Sequence, residues 1–223
     1  MNVPLGRMAL AAGCFLISAA CASEPLSGLY FAPKIGVSHG SGRLMGEDSE
    51  NGWFGLGRKK DFAFAGGAAL GIDWHDRQKA PVRLEAEYLH LGRMEAGHEG
   101  ETLARVDAQT VFANIYYDIR SLTDQREKTA YVPYVGAGAG MAFLSITDPS
   151  NHLGKGKANN FAWNIGGGIA AELSRRFTLD VGYRFTYMGD LRTDTYHEPG
   201  YWARGGTDDN VSHQILVGFR VKF

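Results

Sequence analysis

The sequence predicts an all-β fold: an eight-stranded, antiparallel, up-and-down transmembrane β-barrel with short periplasmic turns and four longer extracellular loops. Three observations predict it. Segments of alternating apolar and polar residues recur along the chain, the period that sends successive side chains to opposite faces of a strand. Thirty glycines and 12% aromatic residues accompany a mildly polar average, with a mean hydropathy of −0.21. Beyond the first two dozen residues no run approaches the ~18 apolar residues of a spanning helix. That excludes a helical membrane protein but not a barrel that is polar at every second position.

The N-terminal segment, residues 1–22, reads as a signal peptide, and residues 23–223 as the barrel domain. Arg7 is the only charge before Glu24 and precedes the apolar run Met8 to Ile17; Ala20, Cys21 and Ala22 give the small-residue pattern of a cleavage site. A lipidated Cys21 is the alternative, although the leucine usual three residues before such a cysteine is absent. The only cysteines are Cys14 and Cys21, so the exported chain relies on no disulfide. Leaving out Arg7, 22 basic residues face 24 acidic ones, a balance that does not suggest a nucleic-acid partner.

The strands follow in order. Leu29–His39 sets Leu29, Phe31, Pro33, Ile35 and Val37 on one face. Asp61–Trp74 sets Phe62, Phe64, Leu70, Ile72 and Trp74 against Ala63, Ala65, Ala69 and Asp73. Val82–Leu91 opposes Val82, Leu84, Ala86 and Tyr88 to Arg83, Glu85 and Glu87, and Val111–Ile119 opposes Val111, Ile115 and Tyr117 to Phe112, Asn114 and Asp118. Tyr131–Leu144 carries Val135, Met141 and Phe143 among glycines and alanines, which specify register only weakly. Phe161–Leu173 alternates Phe161, Trp163, Ile165 and Ile169 with Ala162, Asn164, Ala170 and Glu172. Phe177–Met188 alternates Leu179, Val181, Tyr183, Phe185 and Tyr187 with Asp180, Gly182, Arg184 and Thr186. Val211–Phe223 closes the series, with Ile215, Val217, Phe219, Val221 and Phe223 opposite Gln214, Gly218, Arg220 and Lys222. Each segment is near the ~9–11 residues that cross a bilayer at a tilt. The connections 75–80, 121–129 and 174–176 are short; 40–60, 92–105, 147–160 and 189–209 are long and polar.

Which face meets lipid follows from volume. An eight-stranded interior just fits ordinary side chains, so it has no room for Trp74, Trp163, Tyr183, Phe185, Tyr187 and Phe219 together. The opposite face, mostly glycine and alanine with charges of both signs, suits a narrow polar lumen. Aromatics near the strand ends then form the two interfacial girdles.

The inward charges Arg83, Glu85, Glu87, Glu172, Asp180, Arg184 and Arg220 are expected to pair across this lumen, because an unpaired buried charge is costly. Their expected role is a plug that holds the strands; the alternative is the lining of a small channel. The long loops carry the recognition candidates: Trp53, Phe54 and Arg58 in the first, and Tyr196, Tyr201, Trp202 and Arg204 in the fourth. Aromatic residues with arginine are common binding anchors, and closure of the barrel brings these two loops side by side.

No catalytic or metal residues and no cofactor are assigned. His39 and His213, with Ser41 and Ser212 nearby, raise a lipid A-modifying hydrolase as a remote alternative, but no acidic residue stands where it would orient either imidazole. His98, His152 and His197 show no metal-ligand spacing. Gly136 to Gly140 is glycine-rich without the following helix that a dinucleotide fingerprint requires.

The segment from Phe177 to Gly189, FTLDVGYRFTYMG, resembles the penultimate strand of the neisserial opacity-type porins and the small surface protein related to them. Residues 218–223, GFRVKF, are similar to that family's closing strand; Tyr116-Tyr117-Asp118 and Pro133 to Gly136 also fit, within the wider OmpA/OmpX-like group of eight-stranded barrels. The resemblance implies a monomeric barrel in outer-membrane lipid and lipopolysaccharide at the surface of a Gram-negative bacterium, with a host receptor, serum protein or glycan bound by variable loops. It also implies that Phe219, Val221 and Phe223 form a signal for the barrel-assembly machinery. The loops themselves carry no resemblance, so no contact residue transfers.

Overall fold

The computed structural model describes residues 28–48, 52–98, 101–120, 130–147, 155–192, 196–198 and 201–223. Among these, eight long strands and one short one make a single antiparallel sheet. They are β1 (Leu29–Asp48), β2 (Gly52–Asp73), β3 (Val82–His98), β4 (Glu101–Asp118), β5 (Ala130–Thr147), β6 (Lys155–Glu172), β7 (Phe177–Arg192), β8 (Tyr196–Glu198) and β9 (Tyr201–Lys222). Consecutive strands pair as hairpins from β1 to β7, then β7 pairs with β9, and β9 pairs with β1 to close the barrel. The three residues of β8 pair only with β9. Closure removes the free sheet edge that lipid could not solvate.

The alternation read from the sequence holds in every strand. On β7, Val181 and Tyr183 are exposed while Thr178, Arg184, Thr186 and Met188 are buried. The same holds on β3, where Leu84, Ala86 and Tyr88 face out and Arg83, Glu85, Glu87, Leu89 and Leu91 face in. The lipid face is mainly apolar, with His90, Gln109 and His213 among its few polar side chains, and carries an upper girdle of Phe62, Phe64, Tyr88, Phe143, Phe161 and Trp163. A lower girdle contains Tyr117, Tyr131, Phe177, Phe219 and Phe223. Ring contacts stiffen both: Trp163 stacks on Tyr187 at 6.2 Å above, and Phe177 on Phe219 at 5.6 Å below.

The strands are longer than the sequence reading expects. They run 16–22 residues, and the polar segments 40–48 and 52–60, expected as loop, are paired β1–β2 backbone. At about 3.3 Å per residue and a tilt near 40°, the 22 residues of β9 rise about 55 Å against an apolar band of about 25 Å. Hydrophobic alternation marks only the length that lipid touches, so the paired extensions above it carry no such signal. Their register shifts sit there too, between Leu44 and Met45, Ser41 and Arg43, Leu91 and Met94, and around Gly189. Gly189 takes φ +74°, a conformation that side-chain-bearing residues rarely adopt.

At the periplasmic end the turn after β2 contains one helical turn, α1 (His75–Gln78), where the sequence predicts a plain turn. The Asp73 carboxylate accepts the His75 N–H at 2.9 Å, and Lys79, at φ 56°, ends it by donating its N–H to the His75 carbonyl. The turn after β6 is held by Ser174, whose hydroxyl accepts the N–H groups of Arg176 and Phe177.

Candidate functional site

Two regions combine chemistry with placement: the lumen and the outer hairpins. In the lumen, β1, β3, β4, β7 and β9 each send charge inward. Lys34 on β1 donates to Glu85 at 2.5 Å and to Glu87 at 2.7 Å. Glu87 also accepts from Arg184 of β7 at 2.5 Å, and the Arg184 Nε donates to Gln214 of β9 at 2.7 Å. Glu85 accepts the Tyr30 hydroxyl at 2.7 Å and lies 3.7 Å from Arg83. Arg83 donates to Asp118 at 3.0 Å, and its guanidinium lies between the rings of Tyr116 and Tyr134, 4.8 and 5.0 Å from their centres. Arg220 takes both oxygens of Asp180, at 2.5 and 3.0 Å. These groups are almost fully buried, and pairing of this quality is what makes buried charge tolerable.

Six of the seven expected lumen charges, Arg83, Glu85, Glu87, Asp180, Arg184 and Arg220, thus line one connected region. Glu172 joins them only indirectly, at the periplasmic rim where β6 ends: Arg120 lies 2.9 Å from Glu172 and 3.8 Å from Asp118, the partner of Arg83. Sequence reasoning left out Lys34, the cation that joins both glutamates, and Tyr30, Tyr116 and Tyr134; the same alternation that turns Ile35 outward turns Lys34 in. The space for these rings comes from glycine. A Cβ on Gly136 would run into the Tyr116 ring, and one on Gly71 into the Tyr30 ring.

The narrow polar lumen expected from sequence is only part of the interior. Above the charged layer the interior is an apolar core of Leu89, Leu91, Phe112, Leu144, Met188 and Leu191 with Ala65, Ala108, Ala142 and Ala162. Phe112 stands at the boundary, the face of its ring 5.6 Å from the Arg184 guanidinium. The reason is the length of the strands. Inward positions that lie far from either barrel end have to pack on one another, and apolar side chains do so without needing partners.

At the outer end, side chains of the recognition candidates lie outside the described residues, but their backbone positions are defined. Trp53, Phe54 and Arg58 stand on β2, Tyr196 on β8, and Tyr201, Trp202 and Arg204 on β9, all in strand rather than loop. Glu47 of β1 pairs with Trp53 on one side and with Arg204 on the other. Trp202 pairs with His197, and Tyr201 with Glu198. The first and fourth hairpins therefore share β1 as one continuous sheet to Asp48.

The remaining candidates separate. Ser212 is buried and bonds to Ser38 at 2.6 Å inside the barrel. His213 faces outward, its Nδ1 2.7 Å from the Tyr183 hydroxyl, and His39 packs on the Phe62 ring at 4.4 Å. Adjacent strand residues point to opposite faces, so Ser212 and His213 lie on different sides of the wall. Among the described residues no group of three or more His, Cys, Asp or Glu side chains is arranged to hold a metal ion. Residues 1–22, His152 and the side chains of His98 and His197 lie outside what is described. Phe219 and Phe223 point outward, and the Phe223 N–H donates to the Leu29 carbonyl at 3.0 Å across the closing seam, with Val221 paired to both Phe31 and Phe177.

Residues 8–223 match the family model described as the outer membrane protein beta-barrel domain. The chain is 26% identical over 221 residues to outer membrane protein PagN of Salmonella typhimurium, an alignment covering 88% of this chain and 90% of that protein. Among solved structures it is similar to neisserial surface protein A, with a TM-score of 0.53 and 19% identity over 88% of this chain and 98% of that one. That likeness is one of fold.

Proposed function

The chain belongs to the outer membrane protein β-barrel domain family and sits in the lipid of a Gram-negative outer membrane, and from that premise we propose that it is an adhesin-like surface protein, not an enzyme, acting through its extracellular hairpins. The observation that carries this reading is the pair of long hairpins fused through β1, raised above the lipid band on a barrel whose interior is packed rather than open. A stiff extension costs little further ordering when a partner binds. Trp53, Phe54, Arg58, Tyr196, Tyr201, Trp202 and Arg204 are the proposed contacts, with a host receptor, serum protein or glycan as the partner. The lumen charges act as a plug in this reading, and the protein works as a monomer that is exported by residues 1–22 and inserted by the barrel-assembly machinery.

The test replaces residues 43–58 and 193–204 together with short Gly-Ser turns and measures whole-cell binding to host cells or matrix. The expected result is a folded, heat-modifiable barrel at the surface without adhesion. Unchanged binding by that variant would refute the assignment. Mass spectrometry of lipid A with and without the protein tests the enzymatic alternative, for which the sign is the loss of an acyl chain.

A further inference from the structure

The wall is not paired all the way up. β2 and β3 are partners from Asp73 with Arg83 to Ala65 with Leu91; above that rung, among the described residues, β2 pairs with β1 alone and β3 with β4 alone. β6 and β7 part in the same way above Trp163 with Tyr187. The barrel therefore opens at its upper girdle into two leaves, one of β3 to β6 and one of β7, β9, β1 and β2. Each split begins beside an irregularity of register, between Leu91 and Met94 in β3 and around Gly189 in β7. Such bulges bend and twist a strand away from its neighbour. Asn160 bridges the second split, its Nδ2 donating to the carbonyls of Met188 at 2.9 Å and Asp190 at 2.6 Å. At the first split, residues 52–61 of β2 form the edge of a leaf.

Which main-chain groups face that edge follows from two bonds at the base of β2. Asp73 donates its N–H to the Gly28 carbonyl, on the β1 side, at 2.7 Å, and Trp74 donates to the Val82 carbonyl, on the β3 side, at 3.1 Å. Odd-numbered residues of β2 thus turn N–H and C=O toward β1 and even-numbered ones away from it. The register then runs unbroken from Leu29 with Ile72 to Leu44 with Gly57. Positions 58 and 60 accordingly aim their main-chain groups out of the leaf.

We propose, resting on the adhesin reading above, that this edge of β2 takes up an extended acidic polypeptide segment as an added strand. Alternating N–H and C=O groups at strand spacing are matched by another main chain, which a glycan does not supply. Charge selects the kind of chain. Arg58, Lys59 and Lys60 stand consecutively on the edge, and the exposed Arg43 of β1 pairs with Arg58. A second copy of this edge would set the basic run against itself, which is how edge lysines oppose self-pairing. Carboxylates placed opposite positions 58 and 60 would instead make favourable cross-strand pairs. The edge also stands above the girdle residues Phe62 and Phe64, outside the hydrocarbon, where a sheet edge is tolerated.

The test places the intact barrel in lipid nanodiscs and titrates it into a fluorescein-labelled peptide of alternating valine and glutamate, read by fluorescence anisotropy. Saturable binding is expected. Methylating the peptide nitrogens on the pairing side should weaken it by about tenfold or more, the effect of a few lost main-chain hydrogen bonds. The peptide with lysine in place of glutamate should not bind. Failure of the acidic peptide to bind, or equal binding of its methylated form, would overturn the proposal; the latter, with displacement by a sulfated glycan, would mean a surface that reads charge alone. Lys60→Pro removes an edge N–H while sparing the β1 pairing, and Lys60→Gln removes only the charge. The proline variant should bind about tenfold more weakly than the glutamine variant, and equal affinities would defeat the assignment. The peptide comparison on the native protein decides the matter even if Lys60→Pro does not fold. Loss of adhesion on replacing the two hairpins, with no peptide binding, would leave the adhesin reading standing and sink strand addition alone. Peptide binding with adhesion unchanged by that replacement would refute the adhesin reading and keep the edge as a peptide site.

Discussion

Arg184 on β7 reaches across the barrel to Glu87 on β3, 97 residues earlier in the chain, with Nη1 2.5 Å from Oε1. These strands are not neighbours in the sheet, so the pair ties opposite walls together rather than adding to a hairpin. Removing one partner leaves the other charge buried without its counter-ion. Glu87→Met should therefore cost about 3–5 kcal/mol, because Arg184 loses its carboxylate and Lys34 keeps only Glu85. The double variant Glu87→Met with Arg184→Met should cost less than the single one. Urea titration of folding into lipid vesicles, followed by the heat-dependent gel shift, measures both; a double variant weaker than the single would mean that the pair is not a unit.

The apolar upper lumen is the second seal. Phe112 is 1% exposed and packs with Leu89, Met188 and Leu191. Phe112→Ala should destabilise the barrel by about 3–5 kcal/mol through the lost burial and the cavity left behind. Planar-bilayer recording of the native protein should show no steady large conductance. Steady conductance would show that these side chains do not close the path.

The orientation of the wall makes a graded prediction. Val181 faces lipid in mid-strand and is 47% exposed, while its near neighbour Thr186 is fully buried inside. Val181→Arg should cost about 2–4 kcal/mol near the bilayer midplane. Thr186→Ser removes one methyl group and should cost about 1 kcal/mol. Equal tolerance of the two changes, in the same folding titration, would contradict the assignment of inside and outside.

Much of this was legible in the alternation, and the parts that were not have physical causes. Ile215, Val217 and Phe219 against Gln214, Gly218 and Arg220 define a wall with lipid on one side, whatever the partner strands are. The row Arg83, Glu85, Glu87, Leu89, Leu91 shows where the reading stopped short. All five share one face, and the change from charge to leucine along it marks the passage from ion-pair layer to apolar core. A face assignment alone does not say which depth each residue reaches. Glu172 illustrates the same gap, being inward by period yet at the rim by position, beside Arg120. Strand ends were the least legible of all, since Met45 to Asp48 and Gly52 to Gly55 pair by backbone hydrogen bonds without any apolar period.

The closing seam separates stability from assembly. Phe223 is 52% exposed on the lipid face, and its N–H makes one backbone bond to Leu29 across the β9–β1 junction. The neighbouring pairs Tyr30 with Lys222 and Phe31 with Val221 remain without it, as does the ion pair of Lys222 with Asp73 at 2.9 Å. Deleting Phe223 should thus cost no more than about 1–2 kcal/mol in purified, refolded protein, from one hydrogen bond and a half-buried ring. If the terminal aromatic is instead read by the assembly machinery, as the resemblance of the closing strand implies, the same deletion should sharply lower the heat-modifiable form in the outer membrane of cells. Comparing refolding in vesicles with the amount inserted in cells distinguishes the two roles. A parallel loss in both would make Phe223 a structural residue, and native levels in cells would remove it from the assembly signal.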